Sequence, residues 1–80
     1  MVVNDSDRLL RNIGSVLRQY RKERGLTQGQ LSKAAGVSVN HISSIENGTT
    51  DLGMKVFFKI TESLAANPQQ ALSNALNISF

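Results

Sequence analysis

The chain has 80 residues, nine Lys and Arg against six Asp and Glu, a formal net charge of +3, no cysteine and one histidine. A chain this short buries only about 60% of its unfolded surface, so helix caps, ion pairs and any partner chain carry unusual weight. Disulfides and thiolate metal sites are excluded, and no run of about 18 apolar residues is present to cross a membrane. The opening MVVNDSDR is acidic and polar where a secretory signal is basic and then apolar, so the expected location is the cytoplasm and the expected organisation is one domain over residues 1–80.

Charge is unevenly placed. Six of the nine cations (Arg8, Arg11, Arg18, Arg21, Lys22 and Arg24) fall in one segment with only Glu23 against them. This suits a polyanionic partner; a solvated helix face is the plainer alternative. Within 8–24, Leu10, Ile13, Leu17 and Tyr20 recur at helical spacing. Asp5, Ser6 and Asp7 are candidate N-caps, and Gly25 is a left-handed stop. Thr27 with Gln30 makes a capping box for a second helix whose inner residues are Leu31, Ala34 and Ala35. Gly36 then permits a tight turn.

Ser38 caps a third helix. Ile42 and Ile45 face its core, Val39 can face either way, and Asn47-Gly48 ends it. After the loop TTDLG, residues 54–64 form a fourth helix with Met54, Phe57, Ile60, Thr61 and Leu64 inward and Phe58 beside that face. Asn67-Pro68 opens a fifth, running to about Leu76 with Leu72, Ala75 and Leu76 apolar. No strand alternation or repeat interrupts the pattern. The expected fold is all-α, a compact five-helix bundle.

Residues 27–47 concentrate what chemistry the chain has. Two short helices joined by a glycine turn form a helix-turn-helix, in which the second helix fits the major groove of B-DNA. The supporting helix needs a small residue where the backbones meet, and Ala35 or Ala34 supplies it. Outward positions of the third helix are short and polar: Ser38, Asn40, His41, Ser43 and Ser44. Asn40 can bond adenine and Val39 can pack on a thymine methyl. His41 can bond a base or a phosphate, or be a solvated surface group; with no second ligand nearby, no metal site is expected.

From Arg21 to Leu64 the chain resembles the Cro/cI-type (Xre-type) helix-turn-helix family of phage and bacterial repressors. The resemblance rests on Arg21, Gly25, Leu26-Thr27-Gln28, Leu31, Ala35-Gly36-Val37-Ser38, Ile42-Ser43, Ile45-Glu46-Asn47-Gly48, Ile60 and Leu64. The compact size and the run DLGMKVFFKI are also similar to restriction–modification controller proteins, small dimeric members of the family. The resemblance implies a lambda-repressor-like fold. It implies base contacts from Val39, Asn40, His41, Ser43 and Ser44. It places phosphate contacts at Gln28, Asn47 and the following loop, including Thr49; Thr27 and Ser38 join them at helix N-termini suited to phosphate. It also implies a structural ion pair of Arg21 with Glu46. Two departures stand out. The loop after Gly48 has no Lys or Arg and one acid, and the third helix has no cation, so the commonest guanine contact is absent.

Phe58, Leu72, Leu76, Ile78 and Phe80 form an apolar surplus near the C-terminus. Leu72 is accommodated by the core. The rest point to a two-fold homodimer, with 66–80 as the dimerisation segment and recognition helices about 34 Å apart on a near-palindromic operator. The expected function is a sequence-specific double-stranded DNA-binding transcriptional regulator, with no cofactor or small-molecule ligand. A protein-interaction module or antitoxin-like partner on the same fold is the alternative. An enzyme is not expected: Ser38, His41 and Asp51 have no nucleophile elbow or supporting strand.

Overall fold

The computed structural model describes residues 5–78. Five helices follow one another: α1 (Asp5–Glu23), α2 (Gln28–Ala35), α3 (Val39–Asn47), α4 (Met54–Ser63) and α5 (Pro68–Asn77). The long α1 packs against α3 and α5, α2 against α3 and α4, and α4 against α5. The core joins Ile13, Val16 and Leu17 of α1 to Leu31, Ala35, Val37, Ile42, Ile45, Phe57, Ile60, Leu64, Ala71 and Ala75.

Local signals set most boundaries. Thr27 accepts from the Gln30 N–H, and the Gln30 amide oxygen accepts from the Thr27 N–H, completing the capping box. The Ser38 hydroxyl accepts from His41 N–H at the start of α3. Asn67 accepts from the N–H groups of Gln69 and Gln70 ahead of α5, with Pro68 in its first turn. At the end of α3, Gly48 is left-handed; its N–H donates to Ile45 and that of Thr49 to Ser44, the paired bonds of a Schellman cap. The same pattern closes α4 at Ala65, which takes φ +51° without being glycine.

The structure corrects several inner-face assignments. Met54 is exposed (59%) because it opens α4, a turn before the helix reaches the core. Ala34 is exposed too, leaving Ala35 to meet α3. Leu10 is half-buried, since the centre of the α1 stripe runs through Ile13, Gly14, Val16, Leu17 and Arg21. Asp5, Ser6 and Asp7 lie within α1, the two acids in its first turn, where they favour the positive end of the helix dipole. Ala71 joins Ala75 on the buried face of α5, a position that apolar spacing alone does not single out.

Gly14 fixes how α1 meets α3. A Cβ there would overlap the Ile45 carbonyl oxygen and lie 2.8 Å from that of Glu46. Both are helix backbone, which a rotamer change cannot move. Gly14→Ala gains about 1 kcal/mol of helix propensity, but it forces the two helices apart. We expect a net destabilisation, with overpacking costing about 1–3 kcal/mol, read as a lower urea midpoint. A variant as stable as the parent would show that α1 and α3 separate freely.

Candidate nucleic-acid interface

The helix-turn-helix is α2, the turn Gly36-Val37-Ser38, and α3. Gly36 is left-handed at φ +69°, and its N–H and that of Val37 both donate to the Ser32 carbonyl. The Ser32 hydroxyl donates back to the Val37 carbonyl. Val37 is buried, so the turn is pinned by polar bonds on one side and by packing on the other.

Beneath it lies a buried ion pair. Arg21 is 8% and Glu46 7% exposed, which removes this pair from the class of solvent-screened surface bridges. Arg21 Nε donates to Glu46 Oε2 at 2.7 Å and Nη2 to Oε1 at 3.0 Å, a two-pronged arrangement that matches guanidinium to carboxylate. Arg21 Nη1 donates to the Leu26 carbonyl at 2.8 Å. Gln28 Nε2 donates to Glu46 Oε1 at 3.0 Å. One carboxylate therefore collects α1, α2 and α3, and the third guanidinium nitrogen holds the α1–α2 connection. The guanidinium is held above its ordinary value, first by its hydrogen bond to Glu46, with burial opposing and the Glu46 charge adding.

The remaining site residues distribute as follows. Val39 (45% exposed) and Asn40 stand out at the start of α3, while His41, Ser43 and Ser44 are half-buried along it. Asn47 and Thr49 are exposed at its far end. Thr49 Oγ1 and its backbone N–H both donate to the Ser44 carbonyl, at 3.3 and 3.0 Å, so a phosphate contact from Thr49 requires its hydroxyl to turn away from Ser44. The hydroxyls of Thr27 and Ser38 accept cap bonds and keep their own hydrogens to donate. The first-turn N–H groups of Gln28, Gly29, Val39 and Asn40 have no acceptor within their helices, as for any helix start. Gln28, expected to hold a phosphate, has its amide bonded to Glu46, with one N–H left to donate. That bond between side chains 18 residues apart had no signal in local spacing.

At the other end, Phe58 (47%), Leu76 (60%) and Ile78 (37%) are exposed, together with Met54. Leu72 is half-buried and packs against the core. Phe80 lies outside the described residues. Among the described residues, no helix is long and apolar enough to cross a membrane.

An all-α bundle that presents a glycine-turned helix pair on a buried frame is a helix-turn-helix domain. A helix-turn-helix family model matches residues 17–70. The chain belongs to that family, in its Cro/cI-type (Xre-type) branch. It is 34% identical over 62 residues to the HTH-type transcriptional regulator PrpR of Mycobacterium tuberculosis, covering 78% of this chain and 13% of PrpR. It is 33% identical over 52 residues to the antitoxin HipB of Escherichia coli, covering 65% of this chain and 55% of HipB. The chain thus spans only a small part of the first relative and about half of the second. Among solved structures it is similar to the clp gene regulator ClgR of Corynebacterium glutamicum (TM-score 0.81, 26% identity, 85% of this chain and 88% of that one). It is also similar to the restriction-modification controller protein C.Esp1396I, seen as a tetramer on its natural 35-base-pair operator (TM-score 0.75, 25% identity, 86% and 96%).

The frame yields a direct test. Glu46→Ala strands a buried guanidinium and should cost about 3–5 kcal/mol, a large part of the ~5–15 kcal/mol available to a domain. Replacing both partners, Arg21→Met with Glu46→Leu, should recover most of that loss in urea unfolding. A Glu46→Ala loss under about 1 kcal/mol would place the pair with surface bridges instead.

Proposed function

We propose that this protein is a sequence-specific double-stranded DNA-binding transcriptional regulator, acting in the cytoplasm as a homodimer on a near-palindromic operator. The observation that carries this reading is the outer face of the first half of α3: Val39 and Asn40 exposed, His41 and Ser43 half-buried, rich in hydrogen-bonding groups and without Lys or Arg, on a helix whose other face is locked by Ile42, Ile45 and Glu46. A rigid helix with a polar outer face is suited to reading base edges, and membership of the family supports that use. C.Esp1396I, of similar fold, is a controller protein bound to its operator.

In this reading Val39, Asn40, His41, Ser43 and Ser44 face the groove. The hydroxyls of Thr27 and Ser38, with the first-turn N–H and remaining amide N–H of Gln28, anchor one phosphate strand; Asn47 anchors the other, joined by Thr49 once its hydroxyl turns from Ser44. With no Arg or Lys in α3, recognition leans toward A·T pairs and DNA shape. Selection of bound duplexes from a random library at ~0.15 M salt, where weak non-specific contacts are largely screened, should return a short inverted repeat. On that repeat Asn40→Ala should relax preference at one position by about 1–3 kcal/mol. Gln28→Ala, which also removes one hydrogen bond from Glu46, should instead weaken binding to all sequences about equally, with its urea midpoint measured alongside to separate the two effects. Recovery of no motif would overturn the reading.

Phe58, Leu76 and Ile78, with Met54 beside them, supply the proposed dimer surface in 66–80 and α4. Phe58→Ser should fold as the parent does, because the ring is half outside the core. It should shift the solution mass by light scattering toward the monomer and weaken operator binding. An unchanged mass at micromolar concentration would place the interface elsewhere.

Similarity to HipB favours one second reading, an antitoxin-like partner that binds another protein through this fold. Stoichiometric co-purification of a second chain, together with an empty DNA selection, would favour it.

A further inference from the structure

The end of the helix-turn-helix has a deficit of positive charge. Residues 48–53, which follow α3, contain Asp51 and no Lys or Arg, and α3 itself has none. Asp7 and Asp51 line an open groove with Leu10, Gly48, Thr49 and Thr50. Left alone, a loop whose only charge is that of Asp51 would repel a phosphate lying beside Asn47.

A cation is supplied from outside the motif. At Gly48, an added Cβ would lie 2.6 Å from Arg11 Cγ, 2.7 Å from Arg11 Cα and 3.0 Å from Arg11 N. The first half of α1 therefore rests directly on the residue that ends α3. Arg11 is exposed, and among the described residues its guanidinium has no ion-pair or hydrogen-bond partner. Packing at its Cα and Cγ fixes the root of the side chain, and the remaining length of an arginine leaves the charged end free to reach past the loop.

We infer that Arg11 is a phosphate-binding residue of this site, supplying from α1 the charge that the loop after α3 lacks. The inference rests on the DNA-binding reading above and adds a residue to it. The absence of cations in the motif then divides the labour. Uncharged groups on α3 read bases, and α1 contributes the electrostatic anchor on the side of Asn47 and Thr49. Gly48 is required twice over, for its left-handed φ of +69° and for the close approach of α1.

The salt dependence of DNA binding separates this role from a structural one. Each phosphate neutralised by the protein releases counterions, so the slope of log K against log salt is steeper by about 0.9 for every such phosphate. The probe is a linear mixed-sequence duplex carrying the selected repeat, with binding read by fluorescence anisotropy across a salt series. Arg11→Gln should make the slope shallower by about 0.9 per bound protomer and leave base preference and thermal unfolding unchanged. Arg11→Lys should restore the slope. Lys22→Gln removes the same charge about 16 Å further along α1, by helix rise, and should not alter the slope. A parent-like slope for Arg11→Gln, or an equal change in Lys22→Gln, would overturn the assignment of Arg11 while leaving the DNA-binding reading intact. A parent chain that binds no duplex at any salt would overturn both.

Discussion

The fold depends on a single buried carboxylate. Glu46 sits near the end of α3, where the helix dipole disfavours negative charge, and it is almost wholly removed from water. It is tolerable there only because three N–H groups converge on it, two from Arg21 and one from Gln28. The geometry satisfies both partners: no buried side-chain polar atom among the described residues lacks a hydrogen bond. A pair of this kind contributes little net stability over a well-packed apolar pair. Its distinctive effect is directional, because guanidinium and carboxylate meet in one plane at one spacing. That fixes the rotation of α3 about its own axis, and with it which residues face outward.

Two further constraints complete the frame. Gly14 lets the backbone of α1 approach the carbonyls of Ile45 and Glu46, bringing Arg21, two turns later on the same helix, to the depth at which the pair forms. The C-terminal helix is then held to α1 by polar contacts beside the buried packing of Ala71 and Ala75. Asn12 Nδ2 donates to the Ala75 carbonyl at 3.2 Å and Asn74 Nδ2 to the Tyr20 hydroxyl at 2.6 Å. Arg24 lies over the Tyr20 ring and its Nε donates to the Leu64 carbonyl at the end of α4. Ala71 and Ala75 make the buried face of α5 small; Leu72 packs on its edge against the core, while Leu76 and the following Ile78 are left on the outside. Exposure of those side chains follows from how α5 is docked, and gives the second copy in the proposed dimer a surface to cover.

Much of this was legible in the sequence, for a physical reason. Capping boxes, left-handed glycines and proline starts act within a few residues, so Thr27, Ser38, Gly48 and Asn67 mark their helix ends without knowledge of the rest. Periodicity located the core faces of α3 and α4 through Ile42, Ile45, Phe57 and Ile60. It failed at helix ends, where Met54 and Ala34 fit the spacing but lie on the rim of the packed region. It also gave no weight to Gly14, which interrupts an otherwise strong helix; an isolated glycine there was itself the signal of a close contact. The Gln28–Glu46 bond and the seating of Arg11 on Gly48 join residues 18 and 37 positions apart. They depend on the crossing of helices, which no local pattern encodes.

The placement of charge explains how a weakly basic chain can serve a polyanion. Cations on a recognition helix would bind any phosphate or guanine within reach, adding affinity with limited discrimination. Here α3 carries none, and the cationic segment lies on α1, which the Arg21–Glu46 pair and Gly14 hold in fixed relation to α3. In the proposed DNA complex, a helix that binds backbone and a helix that reads bases would be rigidly coupled, so a phosphate contact made by one would set the register of the other. On the proposed reading, so little charge in the motif would give a single protomer a weak hold, and two held at a fixed spacing would gain by acting together on one duplex. In that arrangement the exposed apolar residues of α4 and α5 and the uncharged face of α3 are linked features: the more discrimination is left to neutral groups, the more the binding depends on pairing protomers.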